Sequence, residues 1–219
     1  MKISKIEIPF PAISIDDFIP SVSLARAAAA SFDTMPENDW VKYSSDSGQV
    51  QFCSKNRSLT PAPSLTVLDY ISSFFNPDDF FKDFKTNSFP DMSYYGGGMM
   101  ITPNSSNEGG YLGMHVDADV HGVNLSWKRE YSAILCLSEE YDSSFDLLIH
   151  DGNKHHATIP YKFNRLNIFK CSENSWHGLP QISKGFDRKT LGVMYWSIMS
   201  EEEKLVARVK AKFNNSLKF

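Results

Sequence analysis

Residues 90 to 198 constrain the fold most, because they run as a succession of short apolar segments, each closed by Gly, Asn, Asp or Ser. The segments Ser93 to Thr102, Tyr111 to Asp117, Ser132 to Leu137, Phe145 to His150, His156 to Pro160, Arg165 to Lys170 and Thr190 to Ile198 are short and rich in β-branched and aromatic residues. They predict strands. Seven strands at this spacing, with turns between nearly all of them, form a sandwich or barrel. With 219 residues, 42% of them hydrophobic, the chain can bury one substantial core. The expectation is a single domain over 1–219: a helical front (1–89) supporting the sheet, a strand-built core (90–198) and a C-terminal helix (199–219).

In the front, Ile15 to Phe32 begins with Asp16 and Asp17 and runs into alanines, which predicts a helix with acidic residues in its first turn. Trp40 to Cys53 surrounds a Ser-Asp-Ser-Gly turn and predicts a hairpin. Ser64 is placed to cap a second helix that spaces Leu65, Leu68, Ile71 and Phe75 on one face. A third helix is expected from Pro77. After Ser200, three glutamates precede a basic stretch, the charge order that suits a helix dipole.

The net charge of −4 and pI near 5.9 provide no positive field for phosphate backbones, so nucleic acid is excluded as the first expectation. No apolar run reaches the roughly 20 residues that span a bilayer, and the first residues lack the pattern of a secretory leader. No membrane association and a cytoplasmic location are expected. Cys53, Cys136 and Cys171 are an odd number without CxxC spacing and are expected to be reduced and mostly buried.

Chemistry concentrates in the strand region. His115 and Asp117 are two residues apart, a spacing that puts both on one face of a strand. His177 follows another strand and precedes a Pro-containing turn. Two imidazoles and one carboxylate can occupy one face of an iron octahedron and leave three positions open. A different set, His115, Asp117, Asp119 and His121 along one continuous strand, stays open at this point, although Gly122 and Asn124 favour a turn there. Arg188 lies 11 residues beyond His177 in an apolar strand, where a guanidinium requires an anion, and Thr190 shares its face.

Taken in order, GGYLGMHVD, REYSAILCLS, PYKFNRLNIFKCSENSWHGLP and DRKTLGVMYW resemble the core of the iron(II)- and 2-oxoglutarate-dependent oxygenases, in the prolyl-hydroxylase-like branch. The resemblance spans about residues 90 to 198. It implies a mainly β fold with flanking helices, built on a double-stranded β-helix, or jelly-roll, of cupin type. It further implies catalytic iron ligands His115, Asp117 and His177, with Arg188 and Thr190 binding 2-oxoglutarate. The implied cofactors are Fe(II) and the co-substrate 2-oxoglutarate. The implied reaction is a dioxygenase hydroxylation that converts 2-oxoglutarate and O2 to succinate and CO2, on a small-molecule, saccharide or peptide substrate.

Where many relatives have Gly-Gly before a core strand, this chain has Ser143-Ser144-Phe145-Asp146, which alters the pocket mouth. A tyrosine is often the further contact to 2-oxoglutarate in the family; Tyr95, Tyr111 and Tyr131 all qualify. Asp119 to Glu130 directly follows the His-x-Asp pair and is expected to line the entrance, with His121 and Trp127 for contact and Lys128-Arg129 to attract an acidic substrate. The other segment within reach is Asn87 to Gly110. A non-catalytic jelly-roll binding module, or a cupin-type metal hydrolase or isomerase, is the alternative.

Overall fold

The computed structural model describes residues 2–7, 9–81, 87–91, 97–103, 109–117 and 120–216. A curled, wholly antiparallel sheet runs through it. Its long arm follows the order β1 (Ile3–Ile6), β2 (Ala12–Ile15), β11 (Leu166–Lys170), β8 (Trp127–Cys136), β13 (Asp187–Ile198), β6 (Gly97–Pro103) and β4 (Gln49–Ser54). Strand β3 (Trp40–Tyr43) is added to β4, and β5 (Phe89–Pro90) to β13. The short arm is β7 (Tyr111–His115), β12 (Trp176–Leu179), β9 (Leu147–His150) and β10 (His155–Ile159). Strand β4 also pairs with β7 and joins the arms.

Alternation along the central strands separates two apolar layers. Tyr131, Ala133 and Leu135 of β8 and Leu191, Val193 and Tyr195 of β13 face outward, onto helices α1 (Val22–Ser31) and α2 (Ala62–Phe74). Residues of the opposite parity, with Phe169, Leu147, Ile149 and Leu179, close the space between the arms. The jelly-roll expectation is met, and helices back one sheet face as expected.

Residues 1–89 are less helical than their sequence suggests, since they also supply β1 to β4 and the first residue of β5. Helix α1 begins only at Val22, with Ser21 accepting the Leu24 N–H at 3.2 Å. Asp16 and Asp17 therefore precede it. Asp16 binds Arg165 Nε at 2.6 Å and Lys162 at 3.1 Å, so its acidic side chain serves a tertiary ion pair rather than a helix terminus. Helix α2 starts before Ser64, whose hydroxyl is buried against Ser31 Oγ and the Ala28 carbonyl, an inter-helix contact in place of a cap. From Pro77 only one 3-10 turn, Pro77–Asp79, is described. The hairpin at Trp40 to Cys53 forms as expected, with Gly48 at φ 76° closing the turn.

A β-bulge in β8 decides which side chains reach the interior. Tyr131 pairs with Tyr195 and Arg129 with the next residue, Trp196, so Glu130 is the extra residue. Its carboxylate turns outward to Lys170 (2.7 Å), Lys128 (2.9 Å) and Ser197 Oγ (2.6 Å). Regular alternation would put Arg129 on the helix side with Tyr131. The bulge inverts the parity and turns Arg129 between the arms.

Candidate metal centre and its cavity

His115 ends β7 and pairs across the ladder with His177 of β12, with ring centroids 4.3 Å apart. Asp117 lies two residues beyond His115. Its Oδ1 is 3.4 Å from His115 Nε2 and its Oδ2 is 3.8 Å from His177 Nε2. One ligating atom from each residue lies within 4.8 Å of the others. The three residues singled out from sequence are thus brought together by two neighbouring strands.

Ring orientation follows from the second nitrogens. His115 Nδ1 lies 3.0 Å from the Gly113 carbonyl and His177 Nδ1 2.8 Å from the Ser175 carbonyl. A carbonyl only accepts, so each Nδ1 carries the proton and each Nε2 directs a lone pair to the centre. Asp117 accepts from Ser132 Oγ at 2.6 Å and pairs with Arg129 at 3.1 Å, which fixes the carboxylate without exhausting its lone pairs. Burial opposes the Asp117 charge, but Arg129 and the two imidazoles overcome it and hold this carboxyl well below the usual carboxylate range. Burial carries His177 down to about 4 despite Asp117, leaving it neutral. His115 is also disfavoured by burial, yet Asp117 and the Gly113 carbonyl outweigh that and raise it. The opposite directions reflect the fuller burial of His177. Two neutral-capable imidazoles and one ionised carboxylate are a donor set that fits Fe(II).

The triad lies in a cavity of about 400 Å³ lined by both arms, among them Leu147, Phe169, Leu179, Gln51 and Ile134. Arg188 and Thr190 face into the same cavity from β13. The Arg188 side chain, only 4% exposed, donates from Nε to the Phe145 carbonyl at 3.1 Å and lies over the Tyr161 ring. Among the described residues no carboxylate pairs with it, and the buried Thr190 hydroxyl has no hydrogen-bond partner. Such a cationic end with an unsatisfied hydroxyl fits a bound carboxylate. Lys189 points the other way and pairs with Asp33 at 2.6 Å.

Several expectations need correction. Residues 127–130 belong to β8 and are not a loop. His121 is 3% exposed; its Nε2 donates to Asp91 Oδ2 at 2.8 Å while Nδ1 accepts the N–H groups of Val123 and Asn124. Its ring packs on Trp127 and Trp196, so it is a structural clamp and lines neither the cavity nor a four-residue metal strand. Asp119 lies outside the described residues. Lys128 is engaged by Glu130 and Glu203. Of the tyrosines, Tyr95 lies outside the described residues, Tyr131 faces the helices and Tyr111 does not line the cavity. Tyr43 does, and sequence reasoning missed it because only the pairing of the β3–β4 hairpin onto β6 brings it there. Arg129 was legible as a cation, but its inward direction depends on the bulge. An adjoining cavity of about 260 Å³ shares Tyr43, Cys53, Met100, Arg129 and Met194 and adds Gly97 and Gly98, which puts the opening beside β6.

The family model described as the 2OG-Fe(II) oxygenase superfamily matches residues 99–196, the span that holds the triad, Arg188 and Thr190. Over that span, just under half of the chain, the sequence is similar to this superfamily. Fe(II) and 2-oxoglutarate are accordingly its cofactor and co-substrate, with O2 as the second co-substrate. Among solved structures, a Pseudomonas putida prolyl-4-hydroxylase superposes with a TM-score of 0.61 at 14% identity, covering 87% of this chain and 95% of that one. A Trichoplax adhaerens prolyl hydroxylase in complex with a hypoxia inducible factor peptide fragment gives 0.62 at 15%, over 89% and 86%. The epimerase SnoN, in complex with Fe3+, alpha ketoglutarate and nogalamycin RO, gives 0.59 at 10%, over 85% and 78%. No curated protein sequence matches the chain. Among the described residues, no helix is long and apolar enough to cross a membrane.

Proposed function

We propose that the chain is a hydroxylase in which His115, Asp117 and His177 hold Fe(II) while Arg188 and Thr190 hold the distal carboxylate of 2-oxoglutarate. The observation that carries this reading is the pairing, in one cavity, of a three-ligand cluster at one end with a buried guanidinium lacking an acidic partner at the other. A cupin-type hydrolase would have no use for that guanidinium, and a non-catalytic module would have no use for the cluster.

Bound there with 2-oxoglutarate, Fe(II) supplies the chemistry that couples O2 to C–H oxidation, with succinate and CO2 as products. The protein's own groups set the conditions. The Gly113 and Ser175 carbonyls hold the imidazole tautomers, and Ser132 and Arg129 hold the Asp117 carboxylate. Leu147, Phe169 and Leu179 exclude water from the far wall. Arg188 and Thr190 orient the co-substrate lengthwise, and the opening beside Tyr43, Gly97 and Met100 admits the primary substrate. That opening suits a small molecule, a saccharide ring or one side chain of a peptide. The unit of activity is the whole chain, 1–219, and three free thiols suit the cytoplasm.

The reading is tested by incubating the protein with Fe(II), 2-oxoglutarate and O2 and measuring succinate, then repeating the measurement with panels of small metabolites, sugars and peptides. Succinate formation that requires all three components, and a substrate product heavier by one oxygen atom, are expected. Absence of bound 2-oxoglutarate in the presence of metal would refute the assignment, and a product of unchanged oxygen content would refute hydroxylation.

A further inference from the structure

Helix α3 (Glu201–Ser216) follows β13 directly and presents Leu205, Val206 and Val209 to solvent at 61%, 48% and 55% exposure. A helix owes most of its stability to the apolar face it buries, and this one has its described apolar residues uncovered. Among the described residues, its side chains reach the body through two ion pairs, Lys128 with Glu203 and Lys210 with Glu173. Nearby, Ile198 precedes the helix, and Leu125 adjoins Ser126, whose carbonyl accepts the Met199 N–H at 2.8 Å. Val123 and Leu125 are 72% and 71% exposed, although their loop is pinned by the His121 clamp and by Asn124 Oδ1, which accepts the Ser126 N–H. The apolar surface is therefore held in place rather than displayed by a loose segment.

The order of charges on the helix identifies an occupant. Glu202, Leu205 and Val209 follow a 3-4 spacing, and the sequence continues it with Lys212. Such a stripe, acidic, apolar, apolar, basic, is complementary to itself when reversed. In an antiparallel pair, Leu205 of one helix meets Val209 of the other, and position 202 stands opposite position 212 on both sides of the two-fold axis. Glu203 is engaged by Lys128 and Glu201 by Lys204, while Glu202 has no partner among the described residues. We propose that α3 is a homodimer interface, an antiparallel helix pair between two copies of this chain, flanked by Ile198 and Leu125.

One helix pair with a small apolar flank lies at the low end of specific interfaces, so the dimer is expected to form at micromolar protein. Sedimentation equilibrium of the full chain from about 1 to about 200 μM, read with the self-association range, tests this. Wild type is expected to dimerise, and Leu205→Glu with Val209→Glu to weaken dimerisation more than about tenfold while succinate formation per chain stays unchanged. Glu202→Lys alone and Lys212→Glu alone should each weaken it, and the two together should restore it, which only the antiparallel self-pair explains. A chain monomeric throughout overturns the proposal, as does a dimer insensitive to Leu205 and Val209 or to the charge exchange. Binding of a monomeric chain to phosphatidylserine vesicles would overturn it too, assigning the helix to a lipid surface.

Discussion

Replacing Arg188 with Met separates two effects that the buried guanidinium combines. In the ligand-free protein, Arg188 is a desolvated cation with one hydrogen bond to the Phe145 carbonyl, a contact with the Tyr161 ring and no acidic partner among the described residues. An apolar side chain of similar length removes the charge at the cost of one hydrogen bond of about 1 kcal/mol, so ligand-free stability should change little or rise. With 2-oxoglutarate the balance reverses. A desolvated charge-assisted pair is worth about 2 to 5 kcal/mol when one partner is truncated, which is about 30-fold to about 4,000-fold in affinity. At 100 times its dissociation constant, a ligand stabilises the native state by about 2.7 kcal/mol, or roughly 5 to 11 °C in midpoint for a chain of this size. Thermal unfolding with Mn(II), with and without 2-oxoglutarate, should show that shift in wild type and almost none in Arg188→Met. Lys189→Met is the control, since its exposed pair with Asp33 is worth at most about 1 kcal/mol and it faces the helices. Equal loss of the shift in both variants, or its retention in Arg188→Met, would refute the anchor.

Ala at His115, Asp117 or His177 should reduce Mn(II) affinity more than about 100-fold by calorimetry, with circular dichroism unchanged, because ligand loss leaves sheet packing intact; wild-type affinity in any one of them counts against the centre. His121→Ala should lower unfolding free energy in urea by about 1 to 3 kcal/mol, because it removes the buried imidazole's hydrogen bond to Asp91 and leaves the Val123 and Asn124 N–H donors without their acceptor. The ratio of succinate to hydroxylated product should not move, and a change in that ratio with normal stability would return His121 to the entrance. Burial pushes the Cys53 thiol up to about 12, so at pH 8 only about one molecule in ten thousand carries the thiolate, and iodoacetamide labelling should rise about tenfold per pH unit. Rapid labelling at pH 7 would show a more open cavity.

What the sequence disclosed depended on how local each determinant is. The strands of the back half were legible because alternation and turn residues are local signals, and His115, Asp117, His177, Arg188 and Thr190 converge because strand parity and pairing fix them. The front was misread where long-range partners won: Asp16 answers to Arg165, and Ser64 to Ser31, neither of which local helix rules can see. Strands β1, β2 and β12 are four residues each, too short for a period to register. His121 carried a polar, loop-like signature, yet its destination was set by Asp91 and Trp196, both distant in the sequence, together with the nearby Trp127.

The extra residue in β8 makes this strand behave as two independently inherited pieces. Downstream of Glu130, any change of residue is read by the rule that holds from Tyr131 to Cys136; upstream, the same rule runs with the opposite sign. A one-residue deletion at position 130 would remove the extra residue yet leave Arg129 opposite Trp196 and directed at the metal-side wall, whereas regular pairing at the present length would set Glu130 there and turn Arg129 to the helix side. The unpaired place given to Glu130 thus decides the sign of the charge beside the aspartate, a cation with the bulge and an anion without it, while the residues that hold the fold together stay the same.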